Sequence, residues 1–403
     1  MKITFVSYTY WPPYFGGALR RVIEHLQTLA QRGHEVTVLT SGHPGFPAKA
    51  VDRGLEVLRS PVIGRSRPAR LLRHLAFFGW ALRHLAQGRY DAVHLGSMPG
   101  VDLATDALAA FILAGIARPR GARTVTVHAL ADSETATLDL SGIRGFWKRL
   151  YYRNIDHIVA VSPALHAPLQ AHFPQKAVLI WNAVRDDIFV PLDDATRQRV
   201  RAEAGIREDE VVFTFLGTVC RRKGFDLLAR AFARLAPGHP DWHLWVIGPR
   251  TRAESQNLDE AEAQEVAAPL AGLEGQVRYF GRVDDRHALA RLLGASDVFV
   301  FPTRREGMPL APVEAMAAGV PVILSRIPGV TDLASVEGET GLYIPPSDAE
   351  ALRQAMERLG SDPALRQRMG RNAIRRVQEA FRWEPYVDRW EHLYQNGCAE
   401  ACR

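Results

Sequence analysis

The sequence predicts two doubly wound α/β halves, and three observations point there. Short apolar runs alternate with longer helical patterns along most of the chain. The alternation pauses once, in an Asp- and Pro-containing stretch at 180–194, and then resumes. The chain has 403 residues, more than one hydrophobic core usually supports, about 250–300.

In the first half the predicted strands lie at 3–7, 35–40, 55–58, 91–95, 123–127 and 157–161. Each is a near-continuous apolar run, the pattern of parallel strands buried on both faces. Helical patterns such as 19–32 and 103–117 separate them, a βαβ rhythm. After the linker-like pause come strands at 211–216, 243–247, 277–280, 298–301 and 320–324, again separated by helices. A long helical tail runs from 352 to 394, with Pro385 expected to break or kink it. The absence of a short-period repeat argues against a solenoid. Open α/β sheets bind ligands beyond the carboxyl ends of their strands. Two such halves are therefore expected to share one site in a cleft between them.

Composition narrows the class. Apolar residues make up 47% and charged residues 23%, ordinary globular usage that excludes a disordered or low-complexity chain. The net charge of +6 is unevenly placed. Residues 1–190 hold 22 Lys or Arg against 13 Asp or Glu, a net of +9, and the remainder is −3. Phosphorylated ligands, anionic membrane surfaces and nucleic acid all suit a basic front half. Three cysteines are too few for a disulfide scaffold, and Cys398 and Cys402 read as two unpaired thiols in a reducing compartment. The first residues run straight into a strand pattern without a signal-peptide core. The longest charge-free apolar run, 107–117, is too short to span a bilayer. A soluble, at most peripheral protein is expected.

The chemistry-bearing segments follow predicted strands. The strongest lies at 302–323, where a loop holding Glu306, Gly307, Met308 and Pro309 leads into a short helix carrying Glu314. Pro309 and Pro312 suit the helix start and Gly319 its end. Free N–H groups around Leu310 and Ala311 would favour an anion. Flanking Val313, Ala315 and Met316 suggest that Glu314 is buried rather than solvated. At 215–228 a strand ends at Gly217, and Arg221, Arg222 and Lys223 precede a helix. Three adjacent cations there could neutralise a diphosphate, or form a solvated basic loop. Near the N-terminus Gly16 and Gly17 would let a ligand approach the backbone. They do not make the G-x-G-x-x-G pattern of dinucleotide binders, and no P-loop lysine is present.

Taken together, these segments resemble the family 4 glycosyltransferases of GT-B fold. The run EGMPLAPVEAMAAGVPVI at 306–323 carries the family's E-x7-E spacing in Glu306 and Glu314. RGHEVTVLT at 32–40, VHA at 127–129, WNAV at 181–184 and TGLYIPPSD at 340–348 extend the likeness over nearly the whole chain. The resemblance implies an acceptor-side Rossmann-like domain at 1–185, rejoined by a helix at about 381–396, and a nucleotide-sugar domain at 196–375. It implies a retaining hexosyltransferase-type enzyme that needs no divalent metal and no cofactor beyond its nucleoside-diphosphate sugar. Lys223 would hold the donor diphosphate with a neighbouring arginine. Glu314 would take the ribose hydroxyls. Glu306 with Gly307, Met308, Leu310 and Ala311 would grip the sugar and phosphates. Phe280 and Val283 would lie beside the base, Gly16 and Gly17 near the diphosphate, and His128 near the transferred sugar. One position departs from the family pattern: Thr218 stands where arginine usually follows the strand-ending glycine, and Arg222 is chosen over Arg221 to supply that cation.

The acceptor is expected to be a saccharide or a lipid-linked sugar, in polysaccharide, lipopolysaccharide or glycolipid synthesis in the cytoplasm. Between 65 and 89, Arg65, Arg67, Arg70, Arg73, Arg83 and Arg89 accompany Phe77, Phe78 and Trp80. This segment either docks on the anionic inner face of a membrane or packs Leu75, Phe78 and Leu82 against the sheet. Nucleic acid is disfavoured, because no binding motif accompanies the charge. The alternatives to transfer are a nucleotide-sugar-binding protein without activity, and a UDP-sugar epimerase.

Overall fold

The computed structural model describes residues 1–10, 17–62, 69–96, 103–128, 140–255, 258–332 and 334–397. The chain divides into two compact units, Met1–Trp181 with Glu384–Arg403, and Asn182–Trp383.

In the first unit the chain runs β1 (Lys2–Val6), α1 (Gly17–Gln31), β2 (Glu35–Thr40), β3 (Lys49–Asp52), β4 (Leu55–Arg59) and α2 (Ala69–Gln87). It continues with β5 (Ala92–Leu95), α3 (Leu103–Ala117), β6 (Arg123–His128), α4 (Gly142–Arg153), β7 (His157–Ala160), α5 (Pro163–His172) and β8 (Ala177–Leu179). The eight strands pair in the order β3-β4-β2-β1-β5-β6-β7-β8. All pairings are parallel except β3 with β4. β5 and β7 are buried at every position, as strands covered on both faces should be. The sequence reading lacked β3 and β8. β3 is an edge strand of alternating exposure and β8 has three residues, so neither shows the apolar run that marks the inner strands.

The second unit comprises α6 (Asp194–Glu203), β9 (Val211–Leu216), α7 (Phe225–Leu235), β10 (Trp242–Ile247), α8 (Glu260–Ala267), β11 (Val277–Gly281) and α9 (Arg286–Gly294). It goes on through β12 (Val298–Phe301), α10 (Ala311–Ala317), β13 (Val322–Ser325), β14 (Gly341–Ile344), α11 (Ala349–Ser361) and α12 (Pro363–Ala380). Its six strands are all parallel, in the order β11-β10-β9-β12-β13-β14. The topology reverses between β9 and β12, where open α/β sheets place their ligands. The stretch from 182 belongs to this unit. Val184 N–H donates to the Phe381 carbonyl, and Asp186 accepts from the Trp383 N–H.

The helical tail breaks earlier than Pro385. Asp362 caps α12 by accepting from the Leu365 N–H at 2.8 Å, and α12 stops at Ala380. The last helix, α13, spans Trp383–Asn396. Pro385 falls in its first turn, where no backbone donor is needed and a fixed φ is tolerated.

α13 packs into the first unit through a ring stack. The Trp390 indole lies 4.6 Å from the His25 ring and 5.3 Å from that of His94, both near parallel. The Tyr394 hydroxyl sits 2.7 Å from His94 Nδ1 and 3.1 Å from His25 Nε2. Arg32 pairs with Glu384, Asp388 and Glu391 at the rim. Burial holds the His94 imidazole down at about 3. Burial first, then the charges of His94 and Arg21, lowers His25 well below its ordinary value. No described helix is long and apolar enough to cross a membrane.

Candidate functional site

β9 and β12 are neighbours in the sheet, so the loops leaving their carboxyl ends meet. After β9 the chain passes Gly217 and Thr218 into a 3-10 turn at Arg221–Lys223, and Gly224 opens α7. Gly224 has a φ of +73°, and a Cβ there would stand 1.8 Å from the Pro302 carbonyl oxygen. Only glycine allows the two loops this contact.

Lys223 reaches across it. Its Nζ donates to Glu306 Oε1 at 2.5 Å, and the ammonium stands 5.1 Å from the Phe301 ring centre. Thr303 Oγ1 donates to the same carboxylate oxygen at 3.1 Å, and Arg222 Nη1 lies 3.4 Å from it. The Glu306 side chain is 9% exposed, so this carboxylate depends on its cations. Arg221 turns away to Glu265 of α8. Of the two arginines weighed in the sequence, Arg222 is therefore the one beside Lys223 and Glu306. Thr218 is half-buried at the strand end.

A second pair braces the loops from outside. Arg304 donates to Asp226 Oδ1 at 2.6 Å and to Oδ2 at 2.9 Å, and also to the Arg221 carbonyl. The Arg304 N–H donates to the Arg222 carbonyl at 2.9 Å. Burial pulls the Asp226 carboxyl up, and the Arg304 hydrogen bonds and charge outweigh it, leaving Asp226 below the usual carboxylate range. Met308 is fastened separately: Asn182 Nδ2 donates to its carbonyl at 3.0 Å.

Glu314 lies in α10, which starts at Ala311 without a side-chain cap. It is 4% exposed. Its Oε1 accepts from Arg286 Nη2 at 2.9 Å, and the Arg286 guanidinium stacks 4.5 Å from the Phe189 ring centre. Burial of Glu314 agrees with the sequence reading. Among the described residues, no group of three or more His, Cys, Asp or Glu is placed to hold a metal ion.

Along the carboxyl edge of one parallel sheet, then, stand a half-buried lysine–glutamate pair, an exposed arginine beside it and, eight residues beyond Glu306, a buried glutamate. Residues 196–376 match the family model described as glycosyl transferases group 1, and residues 15–188 match that of Glycosyltransferase Family 4. The chain belongs to the family 4 glycosyltransferases. It is 31% identical to the D-inositol 3-phosphate glycosyltransferase of Kribbella flavida, over 52% of this chain and 49% of that one. It is 38% identical to the lipopolysaccharide core mannosyltransferase LpcC of Rhizobium leguminosarum, over 42% of this chain and 46% of that one. The chain thus spans about half the length of these two relatives. The sucrose-phosphate synthase of Thermosynechococcus elongatus superposes with a TM-score of 0.79 and 25% identity, covering 98% of each chain.

In this family 4 member, Gly307, Met308, Leu310 and Ala311 connect Glu306 to α10, and Val283 is half-buried in the turn between β11 and α9. Phe280 needs a correction. Its ring packs against Trp245 at 5.2 Å and into the cluster of Val200, Ile206, Val212 and Ala295. Strand alternation turns it toward that core, so only its backbone stands at the strand end. In the first unit Gly17 begins α1 and is exposed, and His128 ends β6. Gly16 and the His128 side chain lie outside the described residues, as do Arg65, Arg67, Cys398 and Cys402.

Sequence reasoning missed Arg286, Arg304, Asp226 and Asn182 as members of the site. Asn182 stood inside the WNAV segment and Arg304 inside the 302–323 loop, but neither position revealed its partner.

Proposed function

We propose that this protein moves a sugar from a nucleoside-diphosphate donor to an acceptor, with retention of anomeric configuration and without a divalent metal. The observation that carries the reading is the Lys223–Glu306 contact, with Arg222 beside it, at the carboxyl edge of the second unit. A departing nucleoside diphosphate concentrates negative charge on its phosphate oxygens, and preorganised cations stabilise it without reorganisation. Lys223 and Arg222 supply that charge, and Glu306 holds Lys223 in place and faces the donor sugar. Glu314, fixed through one oxygen by Arg286, offers the other to the ribose hydroxyls. Gly307, Met308, Leu310 and Ala311 present backbone to the sugar and phosphates, and Val283 flanks the base. Gly16, Gly17 and His128 of the first unit serve the diphosphate and the transferred sugar.

In the step itself the anomeric carbon–oxygen bond to the diphosphate breaks toward an oxocarbenium-like state. The acceptor hydroxyl adds on the same face, and its proton passes to the departing diphosphate. The names of the relatives support a sugar phosphate or a lipopolysaccharide-type saccharide as the acceptor class. The site of action is the cytoplasm, including its membrane face. The test is transfer and donor hydrolysis with UDP-, GDP- and ADP-sugars, the product anomer read by NMR, in wild type and Glu306→Ala. Retained configuration lost in Glu306→Ala supports the reading. A wild type that binds a nucleotide sugar without consuming it is a binding protein, and one that converts it to an epimer is an epimerase.

A further inference from the structure

The first unit carries an exposed apolar face that donor chemistry does not use. Among the described residues nine large apolar side chains stay exposed, and five of them lie on three neighbouring helices. They are Leu72 (59%) and Leu75 (54%) on α2, Leu108 (47%) on α3, and Ile143 (78%) and Phe146 (50%) on α4. α3 packs against both α2 and α4, and Arg153 of α4 lies 6.0 Å from the Phe111 ring centre of α3.

The five also share one end of that layer. Each lies within the first two turns of its helix. A helix that follows a strand of a parallel sheet starts at the sheet's carboxyl edge. α2, α3 and α4 follow β4, β5 and β6, so the exposed apolar side chains gather at that edge.

The helices that carry them are basic, whereas the sequence just ahead of α3 and α4 adds Asp102, Asp132, Glu134 and Asp139. The three helices contain seven Lys or Arg and a single acidic residue, Asp106. On α4, Ile143 and Phe146 alternate with Arg144, Lys148 and Arg149, and Phe146 rests edge-on against Trp147 at 5.1 Å. Leu75, which one sequence reading packed against the sheet, faces outward, and Phe77 takes the buried position.

We infer that the carboxyl edge of the α2–α3–α4 layer seats on an anionic lipid surface. Apolar side chains enter the headgroup boundary while the cations that flank them meet lipid phosphates. A second copy of this chain would set these basic helices against identical ones, which disfavours self-association through them. The inference extends the acceptor side of the proposed function, but it does not depend on transfer activity.

The test is flotation with vesicles of phosphatidylcholine alone and of phosphatidylcholine mixed with phosphatidylglycerol, at low and high salt. Full-length wild type is compared with Ile143→Ser/Phe146→Ser and with Lys148→Glu/Arg149→Glu. The wild type should bind the anionic vesicles, weakly or not at all the neutral ones, and less at high salt. Each double variant should bind about tenfold less or weaker still while keeping the wild-type unfolding temperature and nucleotide binding. Failure of wild type to bind anionic vesicles at low salt overturns the inference, as does wild-type-like binding by the Ile143/Phe146 variant. A wild-type dimer in light scattering that becomes monomeric in that variant would assign the face to self-association instead. A protein that floats but does not transfer sugar leaves this inference standing and removes the functional reading.

Discussion

Lys223 and Glu306 hold each other across the boundary between two neighbouring strands, Nζ to Oε1 at 2.5 Å, from loops 83 residues apart in sequence. The pair unites the two segments that the sequence marked separately. It also makes them mutually dependent, because a carboxylate this buried is costly without its cation. Lys223→Gln should lower kcat about 10²–10³-fold, the usual cost of removing a charge-stabilising donor. Steady-state kinetics on the preferred donor check this, and a loss confined to the acceptor KM would contradict it.

Gly224 is predicted to be intolerant of any side chain. At its positive φ an alanine is strained, and its Cβ would collide with the Pro302 carbonyl. Gly224→Ala should destabilise the second unit by about 1–3 kcal/mol and weaken nucleotide binding. Calorimetry reads the first effect and titration the second. An unchanged unfolding temperature would mean that the loops do not touch as described.

Arg304→Ala should loosen both loops together, because its guanidinium joins Asp226, the Arg221 carbonyl and its own loop. It would also leave Asp226 buried with only Arg230 as a counterion. The expected signature is donor KM raised about tenfold with a smaller change in kcat, since positioning rather than charge is lost. A wild-type donor KM would contradict it.

Glu314→Ala should weaken binding of the preferred nucleoside diphosphate by about 10–100-fold, the range for a lost charge-assisted hydrogen bond. It should do much less to the 2′,3′-dideoxy analogue, which has no ribose hydroxyls to lose. Equal losses for the two ligands would remove Glu314 from the ribose.

Acid should weaken the seat of α13. His25 and His94 are kept neutral in the folded chain, His94 at about 3, whereas in the unfolded chain they protonate near 6.5. With folded values below unfolded ones, their stability contribution is complete above about pH 6.5 and is lost as pH falls below it. The loss is at most about 1.4 kcal/mol per pH unit for each histidine. Unfolding temperatures measured from pH 7.5 to 5 should fall more steeply for wild type than for His94→Gln. Parallel slopes would contradict the assignment.

How much of this was legible in the sequence depends on the range of the interaction. The inner strands were readable because residues such as those of β5 and β12 are buried on both faces and form unbroken apolar runs. β3 and β14 were not, being four-residue strands at the edges of their sheets. Glu314 was read as buried from its neighbours, a local signal. Its partner Arg286 is 28 residues away and Asn182 is 126 residues from Met308, and no local pattern announces such a pair. Phe280 shows the opposite failure. The family resemblance placed it beside the base, but its ring packs against Trp245 and the core of the second unit.

The central claim is that the carboxyl edge of the second unit binds a nucleoside diphosphate through Lys223. Isothermal titration of the full-length protein with UDP, GDP and ADP tests it most directly. The account predicts saturable binding of at least one diphosphate, weakened about tenfold or more in Lys223→Gln, with the matching nucleoside binding both proteins alike. Binding by none of the three, or equal diphosphate affinity in wild type and Lys223→Gln, would contradict it.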